Sequence, residues 1–199
     1  MSKNNMGEDR FLYRPLPYRG NFKVTSPYGY RTLGGKREFH RGLDLVGIDS
    51  KEVRCISGGV VVSSTIVTDK TNRTWEWGNY VHVKSDDGYS FFYCHLKTRS
   101  VKVGERVEVG DLIGIEGSTG YSLGSHCHVE MRKGAQSMNV AEYMEIDNKA
   151  HSIDNAPDYV NAIVNKVGYD DKEQAKKAFR KITHPYLDSL LRKLYEKLI

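Results

Sequence analysis

Cysteine is scarce in this chain, with three residues in 199: Cys55, Cys94 and Cys127. An odd, low count does not make a disulfide framework, and it suits a protein made in a reducing compartment. No run is long and apolar enough to span a membrane. The opening "MSKNNMGEDRFLYRPLPYRG" lacks an apolar stretch of signal-peptide length, so synthesis in the cytoplasm without a signal peptide is expected. Internal repeats and low-complexity linkers are missing too. So are a recognition helix, zinc-finger spacing and an Arg-rich tract, which argues against nucleic acid as a partner. "GSTGYSLGS" is glycine-rich but has neither the lysine nor the helix onset of a phosphate loop, and reads as a turn.

What is present describes a folded globular protein. Hydrophobic residues make up 39% and charged residues 28%, enough for an ordinary core in one domain with a small extension. The formal net charge of +5 favours an anionic partner such as a cell-wall polymer, although scattered charge also serves simply to keep a surface solvated.

The hydrophobic pattern changes period along the chain. From about residue 20 to 146, short alternating runs rich in Val, Tyr and Thr are punctuated by glycine. "NYVHVKSDDGYSFFYCHL" predicts two strands joined around Asp87-Gly88. "CISGGVVVSSTIV" predicts another strand, and "SVKVGERVEVGDLIGIEGSTG" several short ones with glycines at the turns. Beyond residue 154, the sets Val160/Ile163/Val164/Val167, Ala175/Ala178/Phe179/Ile182 and Leu187/Leu190/Leu191/Leu194/Leu198 each paint one helical face. The expected organisation is therefore an N-terminal extension (1–19), a mainly β, antiparallel domain (20–148) and a short α-helical C-terminal region (154–199).

Four of the seven histidines stand in suggestive contexts. His40 heads "HRGLD", with Asp44 four residues on and Gly42 between them for close backbone approach. His95 ends "FYCH", and His126 and His128 flank Cys127. If "HCHVEM" is a strand, His126 and His128 share one face and Cys127 takes the other. The same parity turns Cys94 away from the side of His95. Both thiols then read as small buried hydrophobes rather than metal ligands. Two imidazoles and a carboxylate would leave tetrahedral zinc one open position for water, as a catalytic site requires. The remaining imidazoles could act on that water and on a developing oxyanion. Spacing does not say which histidine of the H-x-H pair is the ligand. Glu130 shares their parity and either holds an imidazole N–H or is a structural group, so it stays outside the predicted site. His82, His151 and His184 read as packed or solvated, and Trp75 and Trp77, in a 68–78 loop, as available to contact substrate or as local packing.

Four motifs in order, "TSPYGYR", "HRGLDL", "GYSFFYCHL" with the glycine-rich run after it, and "HCHVE", resemble the lysostaphin/LytM-type zinc metallopeptidases. The resemblance covers roughly residues 20 to 146. It implies a fold like the duplicated hybrid motif, one Zn2+ per chain held by His40, Asp44 and His128, and His95 with His126 as the catalytic pair. It also implies an endopeptidase acting on the peptides of bacterial peptidoglycan. Cys127 stands where the family commonly has an apolar residue such as Leu. Release through a holin as a phage endolysin, or carriage on a virion, fits a chain without its own export signal. The C-terminal helices then dock on a wall polymer or phage particle, or buttress the domain. The alternative is a non-catalytic, zinc-bound structural or wall-binding protein of the same fold. A biotinyl- or lipoyl-type carrier is disfavoured, because "VKVGERVEVGDLIG" has no lysine at the exposed turn such carriers need.

Overall fold

In the computed structural model, residues 15–72 and 74–153 are described. The predicted C-terminal helices, and most of the N-terminal extension, lie outside the described residues. Fourteen strands run in chain order: β1 (Phe22–Ser26), β2 (Gly29–Leu33), β3 (Lys36–His40), β4 (Gly42–Gly47), β5 (Glu52–Arg54), β6 (Gly59–Ile66), β7 (Asn79–Ser85), β8 (Ser90–Cys94), β9 (Thr98–Arg99), β10 (Arg106–Val107), β11 (Leu112–Ile115), β12 (Cys127–Lys133), β13 (Gln136–Met138) and β14 (His151–Ile153). A one-turn helix, α1 (Val140–Tyr143), follows β13, and the Asn139 side chain caps it by accepting from the Ala141 N–H.

Nine strands make one antiparallel sheet in the order β10-β6-β7-β8-β12-β4-β1-β14, with β13 on β12. A small sheet, β5-β11-β9, and the hairpin β2-β3 complete the fold. The mainly β, antiparallel architecture expected from the short alternating runs is the one found. The β7–β8 hairpin turns where expected, with Gly88 at φ 88.

Alternation along the central strands sorts side chains onto two faces. In one row across four strands, Leu43, Val129, Tyr93 and Val81 sit opposite one another. All four are fully buried in the core. Each such side chain contributes about 1.5–3 kcal/mol of burial. That supply on one face lets the other face carry polar groups. There the neighbouring row is Asp44, His128 and Cys94, and the next is Gly42, Glu130, Phe92 and His82. Residues directly opposite in a ladder share a face. Two neighbouring strands, β4 and β12, therefore deliver a carboxylate and an imidazole side by side.

Leu16 and Tyr18, which the sequence reading leaves in the extension, are buried members of the core cluster. β14 pairs with β1 at the far edge of the sheet.

Candidate metal centre and catalytic cleft

Five side chains singled out in the sequence, His40, Asp44, His95, His126 and His128, line one cleft of about 850 Å³. His40 ends β3, Asp44 lies in β4 and His128 in β12. Their inner atoms form a triangle. His40 Nε2 is 3.1 Å from Asp44 Oδ1 and 3.0 Å from His128 Nδ1, and His128 Nδ1 is 2.9 Å from Asp44 Oδ1.

The tautomers follow from the outer atoms. A carbonyl only accepts, so His40 Nδ1, 2.8 Å from the Pro27 carbonyl, carries its proton there. The Nε2 lone pair of His40 then faces a carboxylate oxygen and a second ring nitrogen. Three such atoms at these distances are held together by a proton on His128 Nδ1 or by a shared metal cation. With a proton in that role, burial of His128 disfavours the charge, but hydrogen bonds and attraction from Asp44 and Glu130 hold its pKa at about 9. Burial likewise pushes the Asp44 carboxyl up, and the two imidazoles outweigh it, holding the group far below the usual carboxylate range. A divalent ion meets the same demand. Among the described residues, these three are the group that could hold a metal ion. Tetrahedral zinc with bonds of about 2.0–2.1 Å sets its ligands roughly 3.3 Å apart, close to the observed triangle.

Outer contacts hold the triangle in place. Arg31 Nη1 donates to Asp44 Oδ2 at 2.9 Å and to Ser26 Oγ at 2.8 Å, while Arg31 Nε donates to Glu38 at 2.7 Å. Glu130 lies 3.8 Å from His128 Nε2 and is itself paired with Arg132. Burial raises the Glu130 pKa, but His128 and Arg132 bring it below the ordinary value. Gly42 answers a steric need. A Cβ there would meet the Val129 carbonyl at 2.4 Å and the His128 ring at 2.8 Å.

His95 and His126 are mounted differently. β8 ends at Cys94, and His95 adopts φ 62, a left-handed conformation rare for a residue with a Cβ. His126 precedes β12 on an isolated bridge with Gly117. Each ring is pinned by its Nδ1–H: His95 to the Thr119 carbonyl at 2.8 Å and His126 to the Gly124 carbonyl at 2.8 Å. In the neutral form of either ring the lone pair then lies on Nε2, and the ring centroids are 4.6 Å apart. Burial, followed by the charges of His128 and His126, lowers the His95 pKa to about 4, so this ring is neutral near pH 7.

The parity argument holds for Cys127, which points into the core. It does not hold for Cys94. Cys94 is opposite His128 and shares the face of the site, because the turn at His95 breaks the alternation that the sequence reading assumed. The thiol is nevertheless buried and outside the metal-competent group. Sequence reasoning also missed a role for Arg31. Its signal was present in "TSPYGYR", but the partner, Asp44, lies 13 residues on. Trp77 lines the cleft and packs on Tyr80 and Phe92.

The chain is similar to known proteins. Glycyl-glycine endopeptidase ALE-1 of Staphylococcus capitis is 36% identical over 123 residues, covering 61% of this chain and 32% of the relative. Peptidoglycan DD-endopeptidase ShyC of Vibrio cholerae is 30% identical over 145 residues, covering 70% and 32%. The crystal structure of the catalytic domain of EnpA, a prophage-encoded M23 protein from Enterococcus faecalis, superposes with a TM-score of 0.52 at 29% identity, covering 62% of this chain and 93% of that one. The chain spans about a third of the length of the curated relatives it matches. The model of peptidase family M23 takes in residues 38–140, and with them all five of the grouped side chains, so the chain belongs to that family.

Proposed function

We propose that this chain is a zinc-dependent endopeptidase that hydrolyses peptide bonds in bacterial peptidoglycan. The observation that carries the reading is the meeting, in one cleft, of a metal-competent triangle with two imidazoles held in the base tautomer. Relatives named as glycyl-glycine and DD-endopeptidases support the substrate class. The likeness to a prophage-encoded protein supports a phage-borne role, as an endolysin or a virion-associated lysin.

His40 Nε2, Asp44 Oδ1 and His128 Nδ1 would hold the zinc. When bound, zinc supplies a Lewis acid for the scissile carbonyl and a water of lowered pKa. The chain's own groups manage the protons. His95 or His126 takes a proton at Nε2 from the attacking water. A ring that has accepted it becomes an N–H donor at that same atom. A developing oxyanion or a departing amine needs such a donor. Backbone carbonyls on Nδ1 keep both rings oriented throughout.

The test is clearing of purified cell walls of several chemotypes by the zinc-loaded protein. Clearing should stop with a chelator and return with zinc. Mass spectrometry of the soluble products identifies the bond. Failure to clear any wall chemotype would overturn the reading.

A further inference from the structure

Residues 116–119 hold the His95 ring and the His126 backbone. The Gly117 carbonyl accepts the His126 N–H at 2.9 Å, and the Thr119 carbonyl accepts the His95 Nδ1–H at 2.8 Å. One buried side chain ties this ledge down. The Glu116 side chain is 0% exposed, and four donors fill its two oxygens. Oε2 accepts from the Tyr18 hydroxyl and the Gly47 N–H, each at 2.8 Å. Oε1 accepts from the Lys51 ammonium and the Ser125 hydroxyl, each at 2.8 Å. The Glu116 N–H itself donates to the Lys51 carbonyl at 2.8 Å.

A carboxylate offers about four lone-pair directions, so this one is saturated. Burying it is costly, and an apolar residue would fill the space without that cost. What an apolar residue would not do is grip Ser125, the residue immediately before His126, while bonding to Tyr18, Gly47 and Lys51. We propose that Glu116 is a positioning residue for the reaction: its carboxylate fixes the 116–119 ledge and Ser125, keeping Nε2 of His95 and His126 turned into the cleft. The proposal rests on the reading that these two rings move protons. A misplacement of about 1 Å at such a group costs on the order of 10²-fold in rate.

The experiment compares wild type, Glu116→Gln and Ser125→Ala, all zinc-loaded, on soluble cross-linked muropeptides. Rates are expressed per folded, metal-loaded molecule. Glu116→Gln is expected to lower kcat about tenfold to a hundredfold with KM nearly unchanged. Zinc content should not move, since Glu116 touches none of the three donors. Ser125→Ala removes one of the four bonds and should lower kcat a few-fold with little change in Tm. Side-chain nitrogen NMR gives a readout independent of turnover. Wild type should show His95 and His126 as Nδ1–H tautomers, and Glu116→Gln a mixture at His126. Wild-type kcat and wild-type tautomers in both variants, whatever their Tm, would reduce Glu116 to a stability device and overturn the proposal. If Glu116→Gln fails to fold, Ser125→Ala decides. If the wild-type protein cleaves nothing, the proposed activity fails, and the tautomers still test the positioning.

Discussion

The metal-competent triangle and the paired imidazoles occupy one cleft but are built on different foundations. Asp44 and His128 face each other across paired strands, and His40 closes a hairpin beside them. Their spacing follows from sheet register, which the buried row Leu43–Val129–Tyr93–Val81 enforces from the opposite face. His95 and His126 stand just off the ends of β8 and β12, and loop carbonyls hold their rings. Regular structure thus fixes the part proposed to bind an ion. The part proposed to handle protons rests on turns, where orientation is set bond by bond. The first should resist small perturbations nearby, and the second should register them in rate.

The largest expected effect is on the triangle itself. His128→Ala should release zinc and reduce wall clearing to on the order of 10⁻³ of wild type or less, the scale of losing a member of a catalytic unit. Elemental analysis beside a turbidity assay checks it, and clearing that survives the substitution would break the assignment of the triangle. His95→Ala and His126→Ala should each keep zinc while kcat falls about 10²- to 10⁴-fold. Loss of zinc in either variant would erase the distinction between the two halves of the site.

Arg31→Ala frees the outer oxygen of Asp44 and should weaken zinc binding about 10- to 100-fold in a chelator competition. Gly42→Ala forces a methyl group against the Val129 carbonyl and the His128 ring, and overpacking of that kind costs about 1–3 kcal/mol in a denaturant melt. The smallest effect lies away from both halves. Burial, then Lys84 and Arg132, lower the His82 pKa from 6.5 to about 4. The unfolded chain accepts this proton near pH 6.5 and the folded one only near pH 4, so stability is lost as pH falls through that window. His82→Phe keeps the stacked ring on Phe92 and removes the titration, so its acid-unfolding midpoint should move to lower pH.

Much of this was legible in the chain, and the limits have physical causes. The β7–β8 hairpin could be read because its alternation and turn are local. His126 and His128 could be placed on one face because period two needs only adjacent residues. Cys94 was misplaced because alternation was carried one residue too far, through a backbone turn that no composition signal marks. Glu116 and Tyr18 are 98 residues apart and meet only in the folded chain. Arg31 was visible as part of a motif, but its work on Asp44 depends on the β2–β3 hairpin folding toward β4.

The backbone at His95 has a consequence for anyone who would make this protein more robust. A left-handed conformation costs most residues with a Cβ about 1 kcal/mol or more, and glycine almost nothing. A selection that rewards heat resistance alone would therefore be drawn to glycine at position 95. It would collect molecules that had given up the imidazole proposed to move protons, so thermal screening of this fold has to be coupled to turnover.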